Sequence, residues 1–182
     1  MVNQGPISLP LTILSVLIPF FLMNSCIATS EEKGTALIRK TCNHTMYEKI
    51  CISIFESDPR SFKANYTGLL RIGIELSVSL TNDTLSYISK VFDNTSETSN
   101  HTLWLKMKGC HDNYDFAVFE ISQATDLFDK GLYRDASRKV AFANEAAFLC
   151  RTSGVPQFVE RNNKVDKFTH DIVLLLYPNP PK

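Results

Sequence analysis

A row of apolar residues repeats through residues 103–128 at alternating steps of four and three. Its members are Leu103, Met107, Cys110, Tyr114, Ala117, Ile121, Ala124 and Phe128. This spacing keeps all of them on one side of an α-helix, as in the seam of a helical bundle. Asn100 suits an N-cap, and Gly131 suits the position just beyond the C-terminal cap. The pattern therefore predicts one amphipathic helix from about residue 101 to about residue 130.

Three further segments carry apolar stripes at helical spacing. The stripe over about 66–92 consists of Leu69, Ile72, Leu76, Leu80, Ile88 and Val91. The stripe over about 134–152 consists of Ala136, Val140, Ala143, Ala147 and Cys150. The stripe between Pro156 and Pro178 consists of Phe158, Val165, Phe168, Ile172 and Leu175. Because no segment alternates apolar and polar residues as strands do, we predict an all-α chain with an antiparallel four-helix up-down bundle.

Two features weaken the 66–92 stripe. The polar insert Thr81-Asn82-Asp83-Thr84 interrupts the apolar pattern. Gly73 costs a helix interior about 1 kcal/mol relative to alanine. We still predict a helix from about residue 66 to about residue 92.

The chain before the bundle is expected to form a smaller unit. Residues 31–57 have helical character, and Asp58-Pro59 marks a break after them. We therefore predict one domain over 31–177, with a helical hairpin over 31–60 that precedes a bundle over 61–177. The Pro-rich tail 178–182 is expected to be extended.

The N-terminal segment has the composition of a secretory signal peptide. Residues 1–30 contain no charged side chain, and most of the segment is apolar. Pro10 and Pro19 disfavour a membrane-spanning helix. Small residues precede the first charged stretch, so cleavage near Ala28 or Ser30 is expected. We predict a signal over 1–30, with an uncleaved anchor as the alternative because the usual basic n-region is missing.

The cysteine count agrees with export. Of the five cysteines, Cys26 would leave with the signal, and Cys42, Cys51, Cys110 and Cys150 would remain. Four cysteines in an oxidising compartment indicate two disulfides with three possible pairings, and no metal-ligand spacing favours zinc instead. Cys110 and Cys150 lie on the stripes of consecutive helices at levels that antiparallel packing brings together. We predict that these two pair, which leaves Cys42–Cys51 as a local staple of the hairpin.

Acceptor triplets for N-linked sugars are frequent. An Asn-x-Ser/Thr triplet without proline begins at Asn43, Asn65, Asn82, Asn94 and Asn100. Together with a signal, five triplets suggest a glycosylated secreted protein, so these residues are candidate glycosylation sites.

Several classes of function are disfavoured by composition. The 19 basic and 19 acidic residues all follow Ser30 and show no basic patch with interleaved aromatic residues, which disfavours a nucleic-acid partner. No nucleophile elbow, phosphate loop or pair of metal-ligating histidines is present. Asp112 and Asp115 beside His111 resemble an acid–base group, but exposed helix faces produce such clusters routinely. We predict no catalytic residue, no metal and no cofactor.

The sequence from about Lys33 to Tyr177 resembles the plant invertase/pectin methylesterase inhibitor family. The likeness lies in the short cysteine pair with Tyr47 between its members, the segment Ser57-Asp58-Pro59-Arg60-Ser61, the stretch "GCHDNYDFAVFEISQA" and the Ala-rich "DKGLYRDASRKVAFANEAAFLC". The resemblance implies a helical hairpin on a four-helix bundle, with the first cysteine paired to the second and the third to the fourth. It also implies a non-enzymatic inhibitor that binds one carbohydrate-active enzyme in the cell wall or vacuole, free of the membrane once the signal is removed.

The resemblance further implies that exposed residues of the second and third bundle helices contact the enzyme. The candidate interface residues are Lys106, Asp112, Asp115, Tyr133, Arg134 and Arg138. Invertase inhibitors of this family often carry Pro-Lys-Phe between these helices, whereas this chain has only Tyr133 at a comparable place. We therefore expect pectin methylesterase to be the target, with acid invertase as the alternative. A secreted helical carrier of a small ligand, or a signalling protein, is the alternative from another class.

Overall fold

The computed structural model describes residues 33–98 and 100–177, and the predicted signal and tail lie outside this range. The described residues form seven α-helices and no strand. The helices are α1 (Thr35–Cys42), α2 (Glu48–Glu56), α3 (Tyr66–Asp93), α4 (His101–Ile121), α5 (Ala124–Asp129), α6 (Tyr133–Thr152) and α7 (Val159–Leu176). Short 3₁₀ segments at Pro59–Lys63 and Pro156–Phe158 connect α2 to α3 and α6 to α7. The predicted all-α class is confirmed.

Side chains at the helix ends explain where the helices begin. The side-chain oxygen of Asn65 accepts the N–H of Gly68 at the start of α3, and that of Asn100 accepts the N–H of Leu103 at the start of α4. Each bond satisfies one of the backbone donors that a helix start leaves unpaired. Asp58 caps the first 3₁₀ segment by accepting the N–H of Arg60.

The end of α5 is a glycine-dependent cap. Gly131 has φ of +75°, where a side chain would be strained. Its N–H bonds to the carbonyl of Phe128, and the N–H of Leu132 bonds to the carbonyl of Leu127. This pair of bonds is a Schellman motif, which closes the helix and turns the chain toward α6.

Four long helices form the predicted antiparallel bundle. Helix α3 packs on α4 and α7, and α6 also packs on α4 and α7. Along three of these pairs, residue numbers rise on one helix as they fall on the other. The contacts are Cys110–Cys150 and Glu120–Lys139 for α4 and α6, and Ser137–Val173 and Asn144–Asp166 for α6 and α7. For α3 and α7 they are Gly73–Ile172 and, just before α7 begins, Tyr87–Phe158.

The helical hairpin α1–α2 lies against one end of the bundle. The Cys42–Cys51 disulfide joins its two helices, with the Cα atoms 5.7 Å apart. Phe55 of α2 is fully buried, and its ring meets Phe168 of α7 edge-on at 5.6 Å. The hairpin therefore shares the core of the bundle.

The predicted stripes form most of the core. In the stripes predicted over 103–128, 134–152 and 158–175, the named residues are buried except Leu103, which is half-buried. On α3 the outcome differs, because Leu76, Leu80 and Val91 are half-buried while three polar residues are buried. Those residues are Ser77, Thr81 and Thr84, each of which donates its hydroxyl to the carbonyl four residues earlier.

The predicted single helix over 101–130 is wrong in one respect. Helix α4 ends at Ile121, a turn follows at Ser122 and Gln123, and α5 begins at Ala124. The Ser122 hydroxyl donates to the carbonyl of Phe119, a local bond that competes with helical continuation. Both sides of the break still contribute buried residues to the same core.

No helix in the described ranges is both long and apolar enough to span a bilayer.

Candidate functional site

The acidic cluster on α4 is poorly suited to acid–base catalysis. Asp112 is more than half exposed and lies 2.5 Å from the Nζ of Lys108, whereas His111 Nδ1 is 3.6 Å from its other oxygen. Lys108, and then His111, hold the pKa of Asp112 below its usual value, so the carboxyl stays ionised. Asp115 is exposed on the same helix. An ionised carboxyl has no proton to donate, and a carboxylate whose pKa is lowered is also a weaker general base.

No group of three or more His, Cys, Asp or Glu side chains within 33–98 and 100–177 is placed to hold a metal ion. The four cysteines of this region are joined in pairs, Cys42 with Cys51 and Cys110 with Cys150. A thiolate nucleophile or ligand would require one of these bonds to be reduced.

Helices α4 and α6 together form one outer face of the bundle. The Cys110–Cys150 disulfide joins them covalently, with Cα atoms 4.8 Å apart. Nearer the α5 end, Lys139 pairs with Glu120, and both side chains are mostly buried. We call this surface, with the α5–α6 turn, the α4–α6 face. Its two helices are therefore held in register at two levels, near the middle of α4 and near its C-terminal end.

The candidate residues of α4 lie along the outside of this face. Lys106, Asp112 and Asp115 are all exposed. An open cleft of about 640 Å³ is lined by Asp112, Asp115, Phe116, Val118 and Phe119. Two of the predicted residues therefore lie at one cleft, while Lys106 lies nearly two turns closer to the start of the helix.

The candidate residues of α6 lie at the α5–α6 turn. The ring of Tyr133 is half-buried and meets Phe128 edge-on at 5.0 Å, so this side chain packs on the core. The guanidinium of Arg134 lies 5.3 Å from the ring centroid of Tyr177, the last residue that the structure describes. Arg138 is exposed and bonds to Asp135 at 3.1 Å. Arg134 and Arg138 offer accessible positive charge here, whereas Tyr133 offers little surface.

Sequence reasoning missed the apolar part of this face. Phe116 and Phe119 are 53% and 66% exposed, and the ring of Phe116 meets Phe142 of α6 edge-on at 5.4 Å. A second open cleft, of about 590 Å³, includes Phe142, Arg138 and Lys139. Exposed aromatic side chains are enriched at protein interfaces. The available signal was the presence of two phenylalanines off the buried stripe of α4.

The five asparagines of the sugar-acceptor triplets are all exposed. Asn65 and Asn100 begin α3 and α4, Asn82 lies within α3, Asn94 follows its last residue, and Asn43 follows α1. None of them belongs to the segments 105–121 and 133–149 that build the centre of the α4–α6 face.

Two disulfides, a helical core and an outer face of exposed aromatic and charged residues define a disulfide-bonded helical bundle. The chain belongs to the Plant invertase/pectin methylesterase inhibitor family, whose sequence profile matches residues 36–170.

Two characterised relatives have different targets in their names. The chain is 30% identical over 128 residues to "Cell wall / vacuolar inhibitor of fructosidase 2" of Arabidopsis thaliana, a match that covers 70% of this chain and 69% of the relative. It is 25% identical over 138 residues to "Pectinesterase inhibitor" of Actinidia deliciosa, covering 75% and 73%.

Solved structures share the fold. A mutant form of a pectin methylesterase inhibitor from Arabidopsis superposes with a TM-score of 0.66 at 16% identity, over 78% of this chain and 95% of that one. A pectin methylesterase inhibitor from Arabidopsis thaliana superposes with a TM-score of 0.58 at 15% identity, over 81% and 98%. At these identities the likeness concerns the arrangement of helices.

Proposed function

We propose that this protein is a secreted, non-enzymatic inhibitor that binds pectin methylesterase non-covalently and blocks its substrate cleft. Membership of the inhibitor family is the observation that carries the proposal. Export to the cell wall, with the vacuole as the alternative destination, is supported by the composition of residues 1–30 and by the two disulfides.

The α4–α6 face is the surface that we propose for the enzyme. Its two helices are joined by Cys110–Cys150 and by the Glu120–Lys139 ion pair, so few backbone degrees of freedom are lost on binding. Phe116 and Phe119 supply exposed apolar area, and Arg134 and Arg138 supply positive charge at one end. A centre of aromatic side chains with charges around it is the usual composition of a specific interface.

Pectin methylesterase is the preferred candidate target, because the turn before α6, residues 130–134, lacks the Pro-Lys pair that is associated with invertase inhibitors. Acid invertase is a second candidate, supported by the higher identity with the fructosidase inhibitor. Both targets would use the same face.

The decisive experiment is a paired inhibition assay. The purified, disulfide-bonded protein is titrated into pectin methylesterase and into acid invertase prepared from plant cell walls. We expect the esterase to be inhibited and to recover fully on dilution, because the described cysteines are already bonded to each other. Inhibition of invertase alone would reverse the target, and inhibition of neither would favour a carrier or signalling protein.

A matched control tests the surface. Arg138→Glu inverts a charge on the α4–α6 face, and Arg161→Glu does so on α7, where Arg161 lies over the ring of Tyr87 on the α3 side. We expect the first substitution to weaken inhibition and the second to leave it unchanged.

A further inference from the structure

We propose that Asn65 and Asn100 carry N-linked oligosaccharides in the exported protein, whereas Asn82 stays unmodified although it begins the same kind of triplet. This inference rests on the secretory route proposed above. It follows from the different hydrogen bonds that these asparagine side chains make.

The chemistry of the linkage sets the requirement. The Nδ2 atom of asparagine attacks the anomeric carbon of a polyprenyl-diphosphate-linked oligosaccharide, and a carbon–nitrogen bond forms. The bond from that carbon to the diphosphate oxygen breaks, the polyprenyl diphosphate leaves, and Nδ2 gives up one proton to a base. Oδ1 keeps its full capacity as a hydrogen-bond acceptor. A compatible asparagine therefore uses Oδ1 in the fold and leaves Nδ2 to the sugar.

Asn65 and Asn100 meet this requirement. Both are exposed helix N-caps whose Oδ1 accepts a backbone N–H, from Gly68 at 2.9 Å and from Leu103 at 3.0 Å. The capping bond does not involve Nδ2, so a sugar on that atom leaves the cap intact. Thr102, the hydroxyl residue of the second triplet, is also exposed. The enzyme that transfers the sugar can therefore recognise this triplet both before and after α4 forms.

Asn82 has the opposite geometry. It lies inside α3, and its Nδ2 donates to the carbonyl of Val78 at 3.0 Å. Thr84, the hydroxyl residue of its triplet, is 3% exposed and donates to the carbonyl of Leu80 at 2.7 Å. Sugar transfer requires the asparagine amide and this hydroxyl to be presented together, and the helical fold keeps the hydroxyl buried in the bundle. Formation of α3 therefore competes with modification at Asn82.

The proposed sugars would leave the α4–α6 face open. Asn65 and Asn100 begin antiparallel neighbouring helices, so they lie at opposite ends of the bundle. Phe116, Phe119 and Arg138 are exposed on α4 and α6, and neither sugar would be attached to α6 or to the second half of α4. Inhibition of the target is therefore expected to be independent of occupancy.

The test is peptide mapping of the full chain secreted by cultured plant cells, after enzymatic removal of sugars in ¹⁸O-labelled water. We expect the label at residues 65 and 100 in most molecules and at residue 82 in few. The same mapping is done on a chain whose residues 1–30 are replaced by a signal of known efficiency. Unlabelled Asn65 and Asn100 in that secreted chain, or a heavily labelled Asn82, would overturn the proposal. Retention of the native chain inside the cell would instead contradict the secretory route.

Two variants separate the sugar from the cap at the start of α4. Thr102→Ala destroys the triplet and keeps the cap, whereas Asn100→Ala removes both. We expect both to lose the same mass from the secreted protein. After deglycosylation, we expect Asn100→Ala to melt about 3 °C below Thr102→Ala, because only the former has lost its cap. Equal melting temperatures would contradict the dual role of Asn100.

Discussion

At Gly73, helix α3 lies unusually close to its neighbours. A Cβ atom at this position would lie 2.6 Å from Cδ1 of Ile172 and 3.0 Å from Cζ of Phe55. The first atom belongs to α7 and the second to the hairpin, so one glycine lets three elements meet. The intrinsic cost of glycine in a helix is outweighed here by the packing that it permits.

The first prediction compares this glycine with another. Gly73→Ala is expected to destabilise the protein by about 1–2 kcal/mol, because overpacking exceeds the gain in helix propensity. Gly109→Ala, in the middle of α4 with nothing within 4 Å of the added Cβ, is expected to stabilise it by about 0.5–1 kcal/mol. Urea denaturation of both variants measures the difference. Stabilisation by both substitutions would show that α3 can move away at no cost.

Tyr114 carries a buried polar contact in the other half of the core. Its side chain is fully buried, and its hydroxyl donates to Oδ1 of Asn162 at 2.8 Å. Burial raises the pKa of Tyr114, so the hydroxyl remains a donor at any physiological pH. The bond joins α4 to α7 across the bundle.

The second prediction tests this bond. Tyr114→Phe is expected to cost about 1–2 kcal/mol, since it leaves the buried Asn162 oxygen without its donor. Tyr177→Phe is the matched control, because that ring is half exposed and is expected to change stability by less than about 0.5 kcal/mol. Equal effects in thermal unfolding would mean that Asn162 finds another partner.

Individual core residues were predictable where the core is apolar. The stripes of α4, α6 and α7 are buried almost as predicted, because their apolar spacing alone determines the inward side. On α3 the prediction treated Thr81 and Thr84 as an interruption, yet both are buried. Their hydroxyls bond to carbonyls of their own helix, which lowers the cost of burial. A hydrophobicity pattern takes no account of hydroxyl groups that form hydrogen bonds within their own helix.

At the scale of elements, the ends of helices were more predictable than the break within one. Asn100 and Gly131 act as the caps that the sequence indicated. The turn between α4 and α5 contains neither glycine nor proline, and the apolar spacing continues through it. Nothing in the pattern distinguishes such a turn from a continuous helix, so it emerged only from the structure.

The docking of the hairpin on the bundle depends on a buried carboxyl. Asp171 of α7 has no exposed surface, and its Oδ1 accepts the N–H groups of Met46 and Tyr47 at 3.1 and 3.2 Å. Burial raises the pKa of Asp171 above its ordinary value of 3.8, although these donors and the adjacent His170 oppose the change. The charged form is therefore less favourable in the folded protein than in the unfolded chain.

The third prediction follows from the sign of this shift. A raised folded-state pKa means that the contribution of Asp171 is fully present below about pH 3.8 and is lost as the pH rises through the folded value. Asp171→Asn keeps an acceptor for both backbone bonds and cannot ionise. We expect the variant to gain stability relative to the wild type as the pH rises above about 3.8, as followed by thermal unfolding.

Asp129 provides a control of opposite sign. Arg71 holds the pKa of this exposed carboxyl below its ordinary value, so its contribution is present above pH 3.8 and is lost as the pH falls. Asp129→Asn is therefore expected to lose stability relative to the wild type as the pH rises, by a small amount because the pair is exposed. The same pH trend in both variants would contradict the assignment at Asp171.

For the molecule as a whole, the structure shows how the candidate interface residues are placed, and their role in binding stays a prediction. The sequence indicated α4 and α6, and their charged residues formed the candidate list. The structure shows that Asp112 and Arg138 already have partners, namely Lys108 and Asp135. Such pairings depend on rotamers and neighbouring turns, which a charge pattern does not specify. The exposed phenylalanines were overlooked because apolar residues were assigned to the core.

The fourth prediction concerns these aromatic residues. Phe119 is 66% exposed, so Phe119→Ala removes little packing from the folded protein and is expected to leave its melting temperature nearly unchanged. If the α4–α6 face binds the target enzyme, the same substitution removes a central apolar contact. We expect at least about a tenfold weaker inhibition, since truncation of an interface aromatic commonly costs more than about 1.4 kcal/mol.

Phe62→Ala is the matched control for this test. Phe62 is 38% exposed but lies on the 3₁₀ segment before α3, away from the α4–α6 face. Inhibition constants for wild type and both variants are compared against the enzyme that the paired assay identifies. An unchanged constant for Phe119→Ala together with a weakened one for Phe62→Ala would move the interface to the hairpin side of the bundle. The reverse result would place the binding energy on α4, because both substitutions remove the same side chain and differ only in position.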